Sequence, residues 1–134
     1  MTELSPSKKS VVVHRGARDA YQVAAALAEA GLLESLVTDL YWPNDRPWAA
    51  RLTKGAKEST RRMLLARYSA LLPSRLVTQT AFSGAISHFL DKWPGSPFSF
   101  RRRATRWTDA VMGRAAGAKA LATNSCLLSY SYHG

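Results

Sequence analysis

Cysteine is almost missing from this 134-residue chain: Cys126 stands alone. That excludes an internal disulfide and a cysteine-paired metal site, and it suits a reducing cytoplasm. Acidic residues are scarce as well, 9 Asp and Glu against 19 Lys and Arg, for a net charge of +10. Such a field attracts phosphates, nucleic acid or an acidic membrane surface without choosing among them. Long apolar runs are absent too. Val11 to Val13 is cut short by His14, Arg15 and Arg18, which is no secretory signal core. The stretch from Val23 to Val37 is broken by Glu29, Gly31 and Glu34 and falls short of the roughly 20 residues of a membrane span. A soluble, cytoplasmic or surface-bound protein is expected. The three histidines, His14, His88 and His133, have no paired spacing and no carboxylate cluster beside them, so no metal site is expected. No ribonucleoprotein aromatics or helix-turn-helix spacing occur, so any nucleic-acid binding would be nonspecific.

What is present is enough for a core. With 46% hydrophobic and 10% aromatic residues, positions 1–134 suit one compact domain, behind a flexible polar leader at 1–9. The β-branched run ending at His14 predicts a strand over 10–14. Asp19 is placed to cap a helix over 20–30, with Val23, Ala26, Leu27 and Ala30 on its apolar face and Gly31 as its stop. A second strand is expected over 35–39, ended by the stretch from Pro43 to Pro47. The basic segment 48–69 is helical in pattern, with Leu52, Leu64, Leu65 and Tyr68 as its apolar positions and a weak point at Gly55. A third strand is expected over 75–79, then a helix on Phe82, Ile86, Phe89 and Leu90 and a loop over 93–97. In the long helix that follows, Phe100, Ala104, Trp107, Val111, Ala115 and Ala118 form the expected core stripe. A last strand over 126–130 would hold Cys126 as an inert core thiol.

Strands alternating with helices predict an α/β fold: a Rossmann-like parallel sheet with flanking helices, whose ligands sit beyond the carboxyl ends of the strands. Those ends carry His14-Arg15-Gly16, Asp39-Leu40-Tyr41 and Tyr130-Ser131-Tyr132. The turn His14, Arg15, Gly16, Ala17, Arg18, Asp19 precedes a helix, so its amides and two arginines suit an anion, and the same residues also suit a plain structural turn. His14 fits either a general base or a hydrogen-bonded structural histidine. Asp39 is placed like the ribose-binding acid of a dinucleotide fold, but with Gly16 alone the three-glycine fingerprint is missing, and no cofactor is expected. Phe98 and Phe100 mixed with Arg101, Arg102, Arg103 and Arg106 suit contact with an anionic membrane, or a solvated basic helix face.

The run Val11-Val12-Val13-His14-Arg15-Gly16, the helix ending Glu29-Ala30-Gly31-Leu32 and the element Thr38-Asp39-Leu40-Tyr41 resemble the opening of bacterial glycosyltransferases of the family 4 kind. Leu127-Leu128-Ser129-Tyr130-Ser131-Tyr132 is similar to an aromatic strand end further along the same N-terminal domains. The two blocks frame most of the chain, and the basic middle carries no specific match. The resemblance implies a GT-B architecture, in which two Rossmann-like domains face a cleft, the first holding the acceptor and the second the nucleotide-sugar. It implies an acceptor-side domain, with a nucleotide-sugar and a glycan or lipid-linked acceptor as ligands of the intact enzyme. His14, Arg15, Gly16, Ala17, Arg18, Asp39 and Tyr130 would border the cleft. No second α/β half or glutamate-bearing donor motif is found here, so the chain is expected to be a partial N-terminal domain, inactive without a donor-binding one.

Overall fold

The computed structural model describes residues 7–16, 19, 21–80, 85–86, 89–90, 92–95 and 97–130. Its frame is a four-stranded, wholly parallel sheet built from β1 (Ser10–Val13), β2 (Leu33–Thr38), β3 (Val77–Gln79) and β4 (Cys126–Ser129), in the order β3-β2-β1-β4. The helices are α1 (Gln22–Glu29), α2 (Pro47–Gly55), α3 (Glu58–Leu65) and α4 (Phe98–Thr123). This is the expected α/β alternation with parallel strands. A 3-10 turn at Ser74–Leu76 takes the first half of the expected third strand and leaves β3 three residues long.

Alternation along the strands divides the core in two. Val12 and Leu36 face one side with Tyr21, Ala24, Leu33, Tyr41 and Leu72. Val11 and Val37 face the other, beneath Met112, Ala116 and Ala120 of α4. α1 and α4 therefore cover opposite faces, as parallel strands joined by right-handed crossovers require.

α1 differs in detail from its sequence expectation. It begins at Gln22, and Tyr21, not Asp19, takes the N-cap position in a left-handed conformation, φ 58°. Asp19 instead closes the turn: its carboxylate accepts the Tyr21 N–H at 3.0 Å and its carbonyl the Gln22 N–H at 3.1 Å. This tight turn rotates the helix so that Ala24 and Ala25 are buried and Val23, Ala26 and Ala30 face outward. Two alanines allow α1 to lie close over the sheet while the larger Tyr21 fills the space at its entry. Gly31 supplies the left-handed stop as expected, at φ +70°.

The basic segment forms two helices parted at Ala56-Lys57. α2 is tied to the end of β2 by Trp42, whose indole N–H donates to Thr53 Oγ1 at 2.9 Å, and by the edge-to-face contact of Trp42 with Trp48. α3 buries none of its residues. Of the expected helix on 82–90, residues 85–86 and 89–90 are helical, and Phe82 lies outside the described residues.

α4 is the largest correction. Its buried stripe is Ala104, Thr108, Met112, Ala116 and Ala120, every fourth residue, whereas Phe100 and Trp107 of the expected stripe are exposed. Small side chains let the helix axis approach the sheet, a closeness that Trp107 and Phe100 would prevent. Asn124, at φ 49°, then reverses the chain into β4. β4 is an edge strand whose four residues are all exposed, so Cys126 is a surface thiol and not the expected core residue.

Stability should follow this map. Leu36→Ala, in the fully buried centre of β2, is expected to cost about 2–5 kcal/mol in urea unfolding, and Leu127→Ala on the open strand about 1 kcal/mol or less. Gly31→Ala meets no neighbouring atom and so reports backbone strain alone, about 1–2 kcal/mol. Equal losses at Leu36 and Leu127 would contradict the exposed placement of β4.

Candidate functional site at the carboxyl edge

The strand order changes its direction of growth between β1 and β4, and a crevice opens beyond the carboxyl ends at such a reversal. His14 leaves β1 and Tyr130 leaves β4 at this point. Their rings stack, with centroids 4.2 Å apart and planes 5° from parallel. His14 Nδ1 lies 3.3 Å from the Tyr130 carbonyl oxygen; a carbonyl only accepts, so Nδ1 carries the proton. The Tyr130 hydroxyl in turn donates to Asp19 Oδ2. Asp19 thus joins the start of α1 to the end of β4.

His14 Nε2 is buried, 3.4 Å from Asp19 Oδ1 and without a hydrogen bond. The separation is within ion-pair range, but the geometry does not meet that of a hydrogen bond. Of the two roles expected for His14, the structural one is visible: it packs on Tyr130 and donates to its backbone.

Asp39 is the second anchor. Its Oδ1 accepts the Gly16 N–H at 3.0 Å and the Thr38 hydroxyl at 3.2 Å, with Arg67 Nη1 at 3.8 Å. Gly16 adopts φ +84°, a left-handed turn that a side chain would strain. The carboxylate therefore fixes the turn after β1 from the end of β2, a different task from holding a ribose. Arg15 points outward, with Nε 3.7 Å from Asp109 of α4. The Gly16 amide and Arg15 of the expected anion-binding turn are thus engaged by the chain's own carboxylates. Ala17 and Arg18 lie outside the described residues, as do Ser131 and Tyr132.

The structure brings His14, Gly16, Asp39 and Tyr130 together, with Arg15 at the rim. It draws in Asp19 from the end of the expected turn and Tyr41 from the end of the second strand, and adds Tyr21 and Arg67, which sequence reasoning did not single out for the site. The Tyr21 hydroxyl donates to the Leu40 carbonyl at 3.1 Å, and Arg67 Nη1 lies 3.4 Å from the same oxygen. The Tyr41 hydroxyl donates to the Leu72 carbonyl at 2.9 Å, with the Ser69 carbonyl at 3.2 Å. No sequence spacing announces these links, because each joins segments that meet only in the folded sheet. Burial pushes the Tyr21 phenol far above the ordinary tyrosine range, against the pull of Arg67. Burial likewise pushes Tyr41 up to about 12, opposed by its hydrogen bond at Ser69.

The arrangement buries both carboxylates and the His14 ring and leaves the part-exposed Tyr130, stacked on His14, as the flat ring at the edge. Among the described residues, no His, Cys, Asp and Glu group could hold a metal ion, and no helix is long and apolar enough to cross a membrane. In comparisons with known proteins, no family model, curated protein or solved structure matches this chain.

Two measurements check the site. Tyr130→Phe keeps the stacked ring and removes the hydrogen bond to Asp19, for an expected loss of about 1.5–3 kcal/mol in chemical unfolding; an unchanged midpoint would remove that bond from the account. Because the Tyr41 phenol titrates higher folded than unfolded, the stability it contributes is complete below its ordinary value of 10.0 and is lost as pH rises from there to about 12. Tyr41→Phe should flatten that alkaline decline, and a variant with an unchanged slope would show that Tyr41 does not contribute to it.

Proposed function

We propose that this chain is the acceptor-side, Rossmann-like domain of a GT-B glycosyltransferase, moving a sugar from a nucleotide-sugar to a saccharide or lipid-linked acceptor. The observation that carries the reading is the meeting of His14 and Tyr130. The two sequence blocks similar to family 4 glycosyltransferases lie far apart in the chain, yet they form the adjacent strands β1 and β4, and their ends stack at the crevice. The order β3-β2-β1-β4 is compatible with the first strands of a doubly wound sheet, in which ligands sit at this reversal. This edge suits a hydroxyl-rich ligand packed on the part-exposed Tyr130 ring better than a free anion, since the amides of Gly16 and Tyr21 already have carboxylate acceptors.

Transfer would require a second, donor-binding α/β domain, because a reaction between two bound substrates depends on holding both in one geometry. The uncovered β4, with Leu127 and Leu128 exposed, offers apolar surface to such a segment. The proposed location is the cytoplasm, including the inner face of the membrane. Exposure of Phe98, Phe100 and Trp107 among arginines supports a second reading, in which α4 rests on an anionic lipid surface.

Titration of the purified chain with oligosaccharides and lipid-linked saccharide analogues, followed by the ring resonances of His14 and Tyr130, tests the acceptor role. Perturbation of both rings is expected, together with no sugar transfer from nucleotide-sugars by the chain alone. Saccharides that leave the rings unchanged would overturn the acceptor assignment, and transfer by the isolated chain would overturn the need for a second domain.

A further inference from the structure

The first turns of α4 hold a feature separate from the carboxyl-edge site. Phe98, Arg101, Arg102, Thr105 and Arg106 line an open groove of about 450 Å³. Their spacing places them on one helix face. Arg101 precedes the buried Ala104 by one turn, so it stands between the packed stripe and the groove. Its Nε is buried and has no hydrogen-bond acceptor. A guanidinium N–H withdrawn from water without an acceptor is costly, and a ligand oxygen would relieve that cost.

Among the described residues, the cations of this groove also lack a counter-charge. Arg15, Arg61, Arg62 and Arg67 each have a carboxylate within ion-pair distance, whereas among the described residues no carboxylate pairs with Arg101, Arg102 or Arg106. Three guanidinium forks and the Thr105 hydroxyl offer many N–H and O–H donors to a single guest. A phosphate presents several acceptor oxygens in a compact tetrahedron and matches arginine forks bidentately. Phe98, 72% exposed at the rim, gives a flat apolar surface for the organic part of the guest.

We propose that this groove is a binding site for one phosphate group of an organic phosphate, either soluble or a lipid headgroup. The site does not rest on the sugar-transfer reading, since none of its residues belongs to the carboxyl edge. It also divides the basic segment. Arg103, with Phe100 and Trp107, falls on a different face of the helix and takes no part, although it neighbours Arg102 in sequence.

That division supplies the test. The full chain, titrated calorimetrically with inorganic phosphate and with glycerol phosphate, should bind saturably. Arg102→Ala and Arg106→Ala, both at exposed positions whose loss leaves the core intact, should each weaken binding about tenfold or more. Arg103→Ala, which changes net charge equally, should change it by less than about twofold. Retention on phosphatidylcholine vesicles containing phosphatidic acid, displaced by free phosphate, would identify a lipid source. Saturable phosphate binding without vesicle retention would identify a soluble one, and either result sustains the site. Absence of saturable binding would overturn it, as would an Arg103→Ala loss equal to that of Arg102→Ala, on phosphate or on an oligonucleotide, because only diffuse positive charge acts that way.

Discussion

β1 is bound on both edges and covered on both faces, and the rest of the fold is arranged around that constraint. Its backbone pairs with β2 on one side and β4 on the other, while Val11 turns to α4 and Val12 to the α1 side. A strand held in this way has no polar edge for water to satisfy, so its neighbours must supply all its ladder partners. Residues from the start and the end of the chain therefore meet, and the contact of His14 with Tyr130 beyond the two strands follows from the pairing. The site lies at this point for a topological reason, and its chemistry depends on which side chains leave β1 and β4 there.

The chain is strongly basic, yet its carboxyl edge is organised by acids. Asp19 and Asp39 accept the amides of Tyr21 and Gly16, so the turn after β1 is held by internal carboxylates. Each acid also reaches a further segment, Asp19 through the Tyr130 hydroxyl and Asp39 through Arg67. Hydrogen bonds to ionised carboxylates are among the stronger ones available to a protein, and these are largely shielded from solvent. Elsewhere the positive charge is spread over exposed helix faces. On α3, Glu58 accepts from Arg61 and Arg62, and these hydrogen bonds hold its carboxyl below the usual range.

α4 serves two purposes along its length. Met112, Ala116 and Ala120 settle on Val11 and Val37. A helix of 26 residues spans about 39 Å, roughly twice the length of a six-residue strand. Because α4 leads into β4 from the opposite direction, its opening turns extend past the strands' carboxyl ends. In these turns the buried stripe is carried by Ala104 and Thr108, and Phe98, Phe100 and Trp107 lie off it and remain exposed. One helix thus packs by its alanines and presents a cationic, aromatic surface by its first three turns.

The valine run, the alanine-rich segment with Gly31 behind it and the apolar centre of β2 carry their structure in local chemistry, so the α/β class, the parallel sheet and the positions of four strands were legible in the sequence. Local pattern also placed His14, Asp39 and Tyr130 at strand ends. It did not fix helix rotation. On α4 the apolar residues cover more than one face, and the face that became buried carries three alanines with Thr108 and Met112, because closeness to the sheet outweighed the size of Trp107 and Phe100. On α1 the turn closed by Asp19 moved the start by two residues and carried Tyr21 into the core. Strand order belongs to the same class: nothing local to Cys126-Leu127-Leu128 states that it pairs with β1 along an open edge and remains exposed. Sequence determined which segments form strands and helices through propensity and periodicity, whereas tertiary structure decided which faces meet, since that choice depends on distances between segments far apart in the chain.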